Sequence, residues 1–368
     1  MNRPAQSDKY ATLDGLRGFA AMIVVMYHFS DLFKPFHLDE GYLVVDLFFV
    51  MSGFVIASAY EGKLASGSIG ARHFLKLRLI RLYPLYFLGT LTGSVGVLLR
   101  LPHAHWHLAA SAFSMALLML PCPNGVTPPD GTLAWFLYPL NYPSWSLLFE
   151  LLANVAYAVC FRFLSVRVLA SAVLISALAL TLKVVHAGSI NSGWALASSH
   201  LGIVRVAYGF FLGVLLFRLH AGRRHTSNPI AIGVAAWFPL MFLVPVAAAL
   251  HVAFTLSIVL IFIPGLVWIG ASFEPSKRVR EVFLFFGTVS YGIYMLHVPV
   301  IGLLRLATGI GPQPSLAQSL AVDSCILLIV VVVAALGEQF YDRPIRHLLM
   351  RGVRGRQPQT AIGAAPLN

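Results

Sequence analysis

Three residues of the sequence have the types needed for acid–base chemistry inside a membrane. Arg17 and His28 lie in one apolar stretch, 11 residues apart. This spacing returns to within roughly 20° of the same helix face after a rise of about 16 Å. Glu150 lies in a later apolar stretch, at a depth that we expect to resemble that of His28. Because a carboxylate can orient a histidine as a general base, we predict a catalytic group of His28, Glu150 and Arg17.

Each of these residues also has a structural explanation. His28 and Glu150 could each bond only to a neighbouring helix, and Arg17 could extend its guanidinium group to the membrane surface. Ionisable groups at membrane depth are costly, so a functional role is the default interpretation.

A second group of residues is suited to binding phosphate. Arg78 and Arg81 lie one helical turn apart on one face and are followed by Tyr83. Guanidinium groups match phosphate oxygens in geometry and charge. The preference for basic residues on the cytoplasmic side of a membrane would also place arginines here, so the pattern predicts either a phosphate site or a topology signal.

Further polar and aromatic side chains in or beside the apolar stretches could contact an acceptor molecule: Asp46, Ser52, Trp145, Ser146, Tyr291 and His297. Three of them have alternatives. Asp46 could pair with a structural arginine, Trp145 could anchor a helix at the membrane interface, and His297 could serve only as a hydrogen-bonded structural residue.

The elements that must position these residues are membrane-spanning helices. The chain of 368 residues is 58% hydrophobic and 11% charged, whereas soluble domains carry roughly 25% charged residues. About ten apolar stretches approach the roughly 20 residues that cross a bilayer. The sequence therefore predicts an all-α, polytopic transmembrane bundle. The expected spans are 13–33, 41–60, 79–99, 145–162, 168–186, 200–218, 229–249, 252–271, 283–304 and 317–338.

Loop charges set the orientation of these spans. Lysine and arginine cluster in alternate loops, around 63–81, 162–167, 218–224, 277–280 and 343–356. This pattern predicts that both termini are cytoplasmic. An apolar segment at 108–120 is too short to span, so we expect it to be re-entrant or interfacial.

Composition and spacing exclude several other classes. The net charge of +12 lies in these short loops rather than on a soluble basic face, so nucleic acid is not expected as a partner. The three cysteines have no metal or disulfide spacing, and no metal site is predicted. We expect one membrane domain over 1–351, with no cleaved signal peptide, and a disordered cytoplasmic tail over 352–368.

Five separated motifs resemble, in the same order, those of the acyltransferase 3 family of integral membrane O-acyltransferases. They are LDGLRGFAAMIVVMYH (13–28), VDLFFVMSGFVI (45–56), RLIRLYPLY (78–86), PSWSLLFE (143–150) and GTVSYGIYMLHVP (287–299). The chain departs from the family pattern at Val44, where glycine is usual, and at Leu77, where a further arginine is usual. The C-terminal glutamate-x-proline pattern appears as Asp342, Arg343 and Pro344.

The resemblance implies a multi-pass enzyme of the bacterial inner membrane, without a fused esterase-like domain and without a permanently bound cofactor. Its co-substrate would be cytoplasmic acyl-CoA, most commonly acetyl-CoA, whose phosphates would meet Lys76, Arg78, Arg81 and Tyr83. The acceptor would be a hydroxyl of a sugar on a polysaccharide or lipid-linked glycan. Direct transfer and an acyl-histidine intermediate both remain open. The competing interpretation is a transporter or flippase of a glycan or small solute. The oligomeric state is left open.

Overall fold

Helices account for most of the part of the chain that the structure describes. The computed structural model describes residues 10–33, 38–122, 136–220, 222, 224–242, 245–313 and 315–354. These residues form α1 (Ala11–His28), α2 (Val44–Ala65), α3 (Ala71–Leu98), α4 (Trp106–Leu117), α5 (Ser144–Cys160), α6 (Val166–Ala187), α7 (Ser199–Leu219), α8 (Asn228–Met241), α9 (His251–Ser257), α10 (Ile263–Ser272), α11 (Lys277–Thr308), α12 (Leu316–Leu336) and α13 (Arg343–Arg354). Two π-helical segments, Ile258–Phe262 and Gly337–Asp342, join α9 to α10 and α12 to α13. A two-residue parallel ladder joins β1 (His225–Thr226) to β2 (Phe273–Glu274).

The predicted all-α, polytopic membrane fold is confirmed. Seven helical stretches among the described residues are long and apolar enough to cross a bilayer. The other three predicted spans correspond to α1, α3 and α8. The first carries Arg17 and the second Arg78 and Arg81, and α8 has only 14 residues. A helix that keeps its charges inside the bundle loses apolarity without losing its place in the membrane.

Helix directions agree with the predicted alternation of spans. Arg17 contacts Ser290 and His28 contacts His297, so α1 and α11 run parallel. The first and ninth spans of an alternating series must have the same direction. The assignment of one face to the cytoplasm remains a prediction.

The helices α2 and α7 pack with their backbones in close contact. A Cβ atom on Gly53 would overlap the backbone carbonyl of Phe210, and one on Gly213 would overlap that of Val50. Small residues allow this approach, which is typical of helix pairs in membranes.

We expect Gly53→Ala to destabilise the folded protein by about 1–3 kcal/mol, the usual cost of forcing extra atoms into a packed interior. Gly62→Ala is the matched control on the same helix, because a Cβ there would meet nothing within 4 Å. Thermal unfolding of both variants in detergent checks this expectation. Equal unfolding temperatures would contradict it.

The segment predicted to be re-entrant forms α4, a helix of 12 residues that folds back along α3. The Trp106 indole donates to the carbonyl of Leu101 just after α3. At the other end of α4, the hydroxyl of Tyr83 donates to the carbonyl of Leu117. The chain then turns at Met119, which has a positive φ of 55°. The helix is too short to span and stays on one side of the bundle, in agreement with the prediction.

The predicted tail falls only partly on described residues. Helix α13 runs to Arg354, so the chain is helical for three residues beyond the expected boundary. The remainder of the tail and the loop residues Arg223 and Arg356 lie outside the described residues.

Candidate active site

An internal polar cavity opens among α1, α2, α3, α5 and α11. Its volume is about 870 Å³ including its open mouth. It lies in the half of the bundle that contains the beginnings of α1 and α3. Its polar lining residues are Arg17, Ser52, Arg78, Arg81, Ser146, Glu150, Ser290, Tyr291 and Tyr294. Seven of these nine are among the residues that the sequence predicts for the site.

The guanidinium group of Arg17 is held by α11 and by its own helix. It donates to the carbonyl of Gly287 at 2.7 Å, to the Ser290 hydroxyl at 3.0 Å and to the Asp14 carboxylate at 2.7 Å. A third of its side chain remains exposed. Arg17 is therefore held in a fixed position by an ion pair and two further hydrogen bonds, with part of its guanidinium side chain open to the cavity.

Arg81 is equally accessible, with 33% of its side chain exposed. Its guanidinium lies over the ring of Tyr291, 5.4 Å from the ring centre, and 3.5 Å from an Asp342 oxygen. The Tyr291 hydroxyl donates to the carbonyl of Leu82 at 2.7 Å. The ring of Tyr291 thus positions the Arg81 guanidinium, which still has N–H groups that could bind a ligand.

Glu150 is bound by Arg78 and Ser52 rather than by His28. One carboxylate oxygen accepts from the Arg78 guanidinium at 2.9 Å and from the Ser52 hydroxyl at 2.7 Å. The predicted pairing of Glu150 with His28 is therefore wrong. Glu150 and Arg78 meet at the cavity, whereas His28 lies at the end of α1 and outside the lining, so position decides the pairing.

His28 instead pairs with His297, and the two rings lie edge to edge in nearly one plane, with centres 5.1 Å apart. His28 Nδ1 lies 2.8 Å from His297 Nε2, and His297 Nδ1 lies 3.0 Å from the carbonyl oxygen of Ile293. A carbonyl only accepts, so neutral His297 carries its proton on Nδ1 and accepts at Nε2. His28 then donates from Nδ1, which leaves the lone pair on its Nε2 free.

His28 and His297 lie at the contact between α1 and α11, as Arg17 does, but neither histidine lines the cavity. The predicted common face of Arg17 and His28 is confirmed, since both contact α11. His28 is the last residue of α1 and is half-buried. Among the described residues, nothing hydrogen-bonds to its Nε2, so this nitrogen is available for chemistry.

Two rings separate the cavity from the histidine pair. Phe48 and Tyr294 both line the cavity and meet edge to face, with centres 5.6 Å apart. Tyr294 in turn lies 6.2 Å from the His297 ring. The Tyr294 hydroxyl lies 2.7 Å from the Ser146 hydroxyl. We call Phe48 and Tyr294 the ring barrier. The histidine pair therefore lies on one side of the ring barrier, and the arginine cavity lies on the other.

Asp46 does not reach the cavity and is corrected to a structural role. It forms a two-pronged ion pair with Arg205 at 2.8 and 3.1 Å, and both side chains are 1% exposed. The Arg205 guanidinium also lies 5.3 Å from the ring of Trp145. Trp145 is buried inside the bundle and does not line the cavity. Its predicted acceptor contact is not supported, and neither is an interfacial anchor.

Two predicted donor-binding residues also point away from the cavity. Lys76 is exposed and absent from the lining, because a step of two residues turns it about 200° from Arg78. Tyr83 faces α4, where its hydroxyl donates to Leu117, and it stacks on Phe87. The predicted phosphate contacts of Lys76 and Tyr83 are therefore wrong, because neither side chain reaches the cavity.

The predicted site residues leave out Arg205, Ser290 and Tyr294. Arg205 is an arginine inside the apolar stretch Leu196–Leu219, which is itself a signal of a buried partner. Tyr294 shares the helical stripe of Tyr291 and His297, and this spacing could have placed it at the site. Among the described residues, no group of three or more His, Cys, Asp or Glu side chains could hold a metal.

This helical bundle with a polar cavity in its interior defines a multi-pass membrane protein. The profile of a family described as acyltransferase domain matches residues 10–337. The chain therefore belongs to the acyltransferase 3 family, and it is a membrane O-acyltransferase.

Two curated proteins are similar to the chain. Protein 2 in the picA locus of Rhizobium radiobacter is 39% identical over 163 residues, 41% of this chain and 82% of that protein. The putative peptidoglycan O-acetyltransferase YrhL of Bacillus subtilis (strain 168) is 25% identical over 369 residues, 91% of this chain. The alignment covers 54% of that relative, so the chain spans about half its length. No solved structure matches the chain.

Proposed function

We propose that the protein transfers an acyl group, with acetyl as the first choice, from cytoplasmic acyl-CoA to a hydroxyl of a sugar on a polysaccharide or lipid-linked glycan. The proposed location is the bacterial inner membrane. One observation carries the proposal: three arginines line a cavity, and a histidine pair with a free nitrogen lies beyond the ring barrier that closes it.

The donor site is proposed from charge and access. Coenzyme A carries several phosphate charges, and Arg17 and Arg81 each expose about a third of their side chains at the cavity. Arg78 lines the same space but is already paired with Glu150. Guanidinium groups bind phosphate oxygens through paired, charge-assisted hydrogen bonds. The phosphates would thus remain near the mouth while the acyl end extends inward.

The proposed reaction uses the imidazole of His28. Its Nε2 takes the proton of the acceptor hydroxyl as the hydroxyl oxygen bonds to the thioester carbonyl carbon. The carbon–sulfur bond then breaks, and the departing thiolate of CoA takes the proton from the imidazolium. His297 orients His28 by accepting from its Nδ1. The two-step alternative, in which Nε2 first accepts the acyl group itself, uses the same residues. Either route requires the side chains of Phe48 and Tyr294 to move aside.

We expect Arg81→Gln to raise the KM for acetyl-CoA by about tenfold, because it removes one charge-assisted contact with phosphate. Lys76→Gln is the matched control, since it removes a charge from the same helix but from a side chain outside the cavity. Steady-state kinetics of both variants against acetyl-CoA measure the effect. An equal KM in both variants would reduce Arg81 to a topology signal.

The proposed function is tested with purified protein in lipid nanodiscs. Acetyl-CoA consumption is followed by thiol release, with and without peptidoglycan fragments as acceptor. An acyltransferase releases free CoA in an acceptor-dependent way. A transporter or flippase leaves acetyl-CoA intact, and that result would reject the proposal.

A further inference from the structure

A continuous row of aromatic rings lies at the end of the bundle opposite the arginine cavity. The ring of Trp194 lies 5.1 Å from that of Phe136, which stacks 5.2 Å from Tyr142. Tyr142 meets the imidazole of His28 edge to face at 4.9 Å, and His28 lies 5.2 Å from Tyr27. We infer that this aromatic row binds a pyranose ring of the acceptor glycan and presents one of its hydroxyls to His28. The inference rests on the proposed function and adds the residues that would bind its acceptor.

The row is open at Trp194 and partly buried over the rest of its length. Trp194 is 36% exposed, and Phe136, Tyr142, Tyr27 and His28 are half-buried. They come from three separate segments, at the end of α1, before α5 and between α6 and α7. Aromatic residues that anchor helices at an interface place their rings at the level of the lipid headgroups. These rings instead contact one another in sequence and end on the imidazole with the free nitrogen, which is the arrangement of a binding site.

The loop that carries Trp194 is held in place by buried contacts. Arg205 donates to the carbonyl of Ser192 at 2.9 Å, and the amide of Gly193 donates to the Ser198 hydroxyl at 3.1 Å. The backbone amide of Leu137, next to Phe136, donates to the carbonyl of Trp194 at 2.9 Å. The row is therefore preorganised, and a ligand would not have to order it on binding.

The chemistry of the row fits a sugar. One face of a pyranose presents polarised C–H groups, and the negative face of an aromatic ring attracts them. A sugar also needs hydrogen-bonding groups at its edge. Asn191 is exposed there, and its amide donates to the Tyr27 hydroxyl at 2.9 Å. Sites for small ligands combine apolar rings with a few such polar groups in this way.

Saturation-transfer NMR on the protein in nanodiscs tests this inference with three probes. They are the disaccharide of N-acetylglucosamine and N-acetylmuramic acid, methyl glucopyranoside and methyl rhamnopyranoside. We expect the wild type to transfer saturation to the ring protons of at least one probe, with affinity about tenfold weaker in Trp194→Ala. Trp194→Phe should retain binding. Trp237→Ala, which removes an exposed tryptophan of α8, is the matched control.

The outcomes separate this inference from the function on which it rests. No transfer to any probe in the wild type would overturn it, and so would equal affinity in Trp194→Ala and the wild type. Acetyl-CoA affinity is measured on the same samples and should be unchanged in Trp194→Ala. If Trp194→Ala loses its affinity for acetyl-CoA, Phe136→Leu takes its place as the test variant under the same criteria. Failure of the wild type to consume acetyl-CoA would reject the proposed function whatever the sugars do.

Discussion

Replacing His28 by alanine is expected to lower the rate of acyl transfer by about 10²–10⁴-fold, the usual contribution of a positioned acid–base group. The variant removes the free Nε2 nitrogen, on which both routes of the proposed reaction depend. The imidazole is half-buried at the end of α1, so its loss should leave the bundle folded and acetyl-CoA binding intact. Acceptor-dependent thiol release should therefore show a fall in kcat with little change in KM for acetyl-CoA.

Variants of His297 separate orientation from simple packing. His297→Ala should reduce transfer because it removes the acceptor for the Nδ1 proton of His28. His297→Gln should recover part of the rate, since its amide oxygen can accept the same proton. His200→Ala, at an exposed histidine of α7, is the control for losing an imidazole elsewhere. Full activity of His28→Ala would remove His28 from the mechanism.

Replacing Arg205 by alanine is expected to destabilise the protein by about 3–5 kcal/mol, the usual cost of removing one partner of a buried ion pair. The change leaves the carboxylate of Asp46 buried without its cation. It also frees the carbonyls of Tyr42 and Ser192, which Arg205 holds at 3.1 and 2.9 Å. Thermal unfolding in detergent should show a midpoint well below that of the wild type.

The double variant Asp46→Leu with Arg205→Met is the control for this effect. Replacing both partners by apolar residues leaves no uncompensated charge and is often close to neutral. We therefore expect the double variant to be more stable than Arg205→Ala alone. The idea of a structural ion pair fails if Arg205→Ala unfolds at the wild-type temperature, or if the second replacement brings no recovery.

Much of the cavity lining could be predicted from sequence, because helical spacing fixes which residues share a face. Arg78 and Arg81 follow from their separation of one turn, and they do line the cavity. Contacts between helices are different, since they depend on where each helix ends. The first span was expected to reach residue 33, but α1 ends at His28. This places the imidazole at the end of the helix rather than inside it, away from Glu150.

The sequence also leaves undetermined which charged side chains pair with one another across helices. Asp46 was expected either at the cavity or with an arginine, and only the packing of α2 against α7 brings Arg205 to it. A pattern along one helix carries no information about the register of its neighbour. Arg205 itself was recognisable, because a charge in an apolar stretch needs a partner.

The ring barrier has a consequence for the energised membrane. Polar groups lie on both sides of Phe48 and Tyr294, so these two rings stand between two polar regions of the bundle. Moving one elementary charge through 100 mV costs about 2.3 kcal/mol. A neutral acetyl group would cross without that cost, while the anionic nucleotide stays behind. The proposed transfer past two side chains would thus deliver an acetyl substituent to the far compartment, and one proton would pass from the acceptor hydroxyl to the CoA thiolate for each acetyl group delivered.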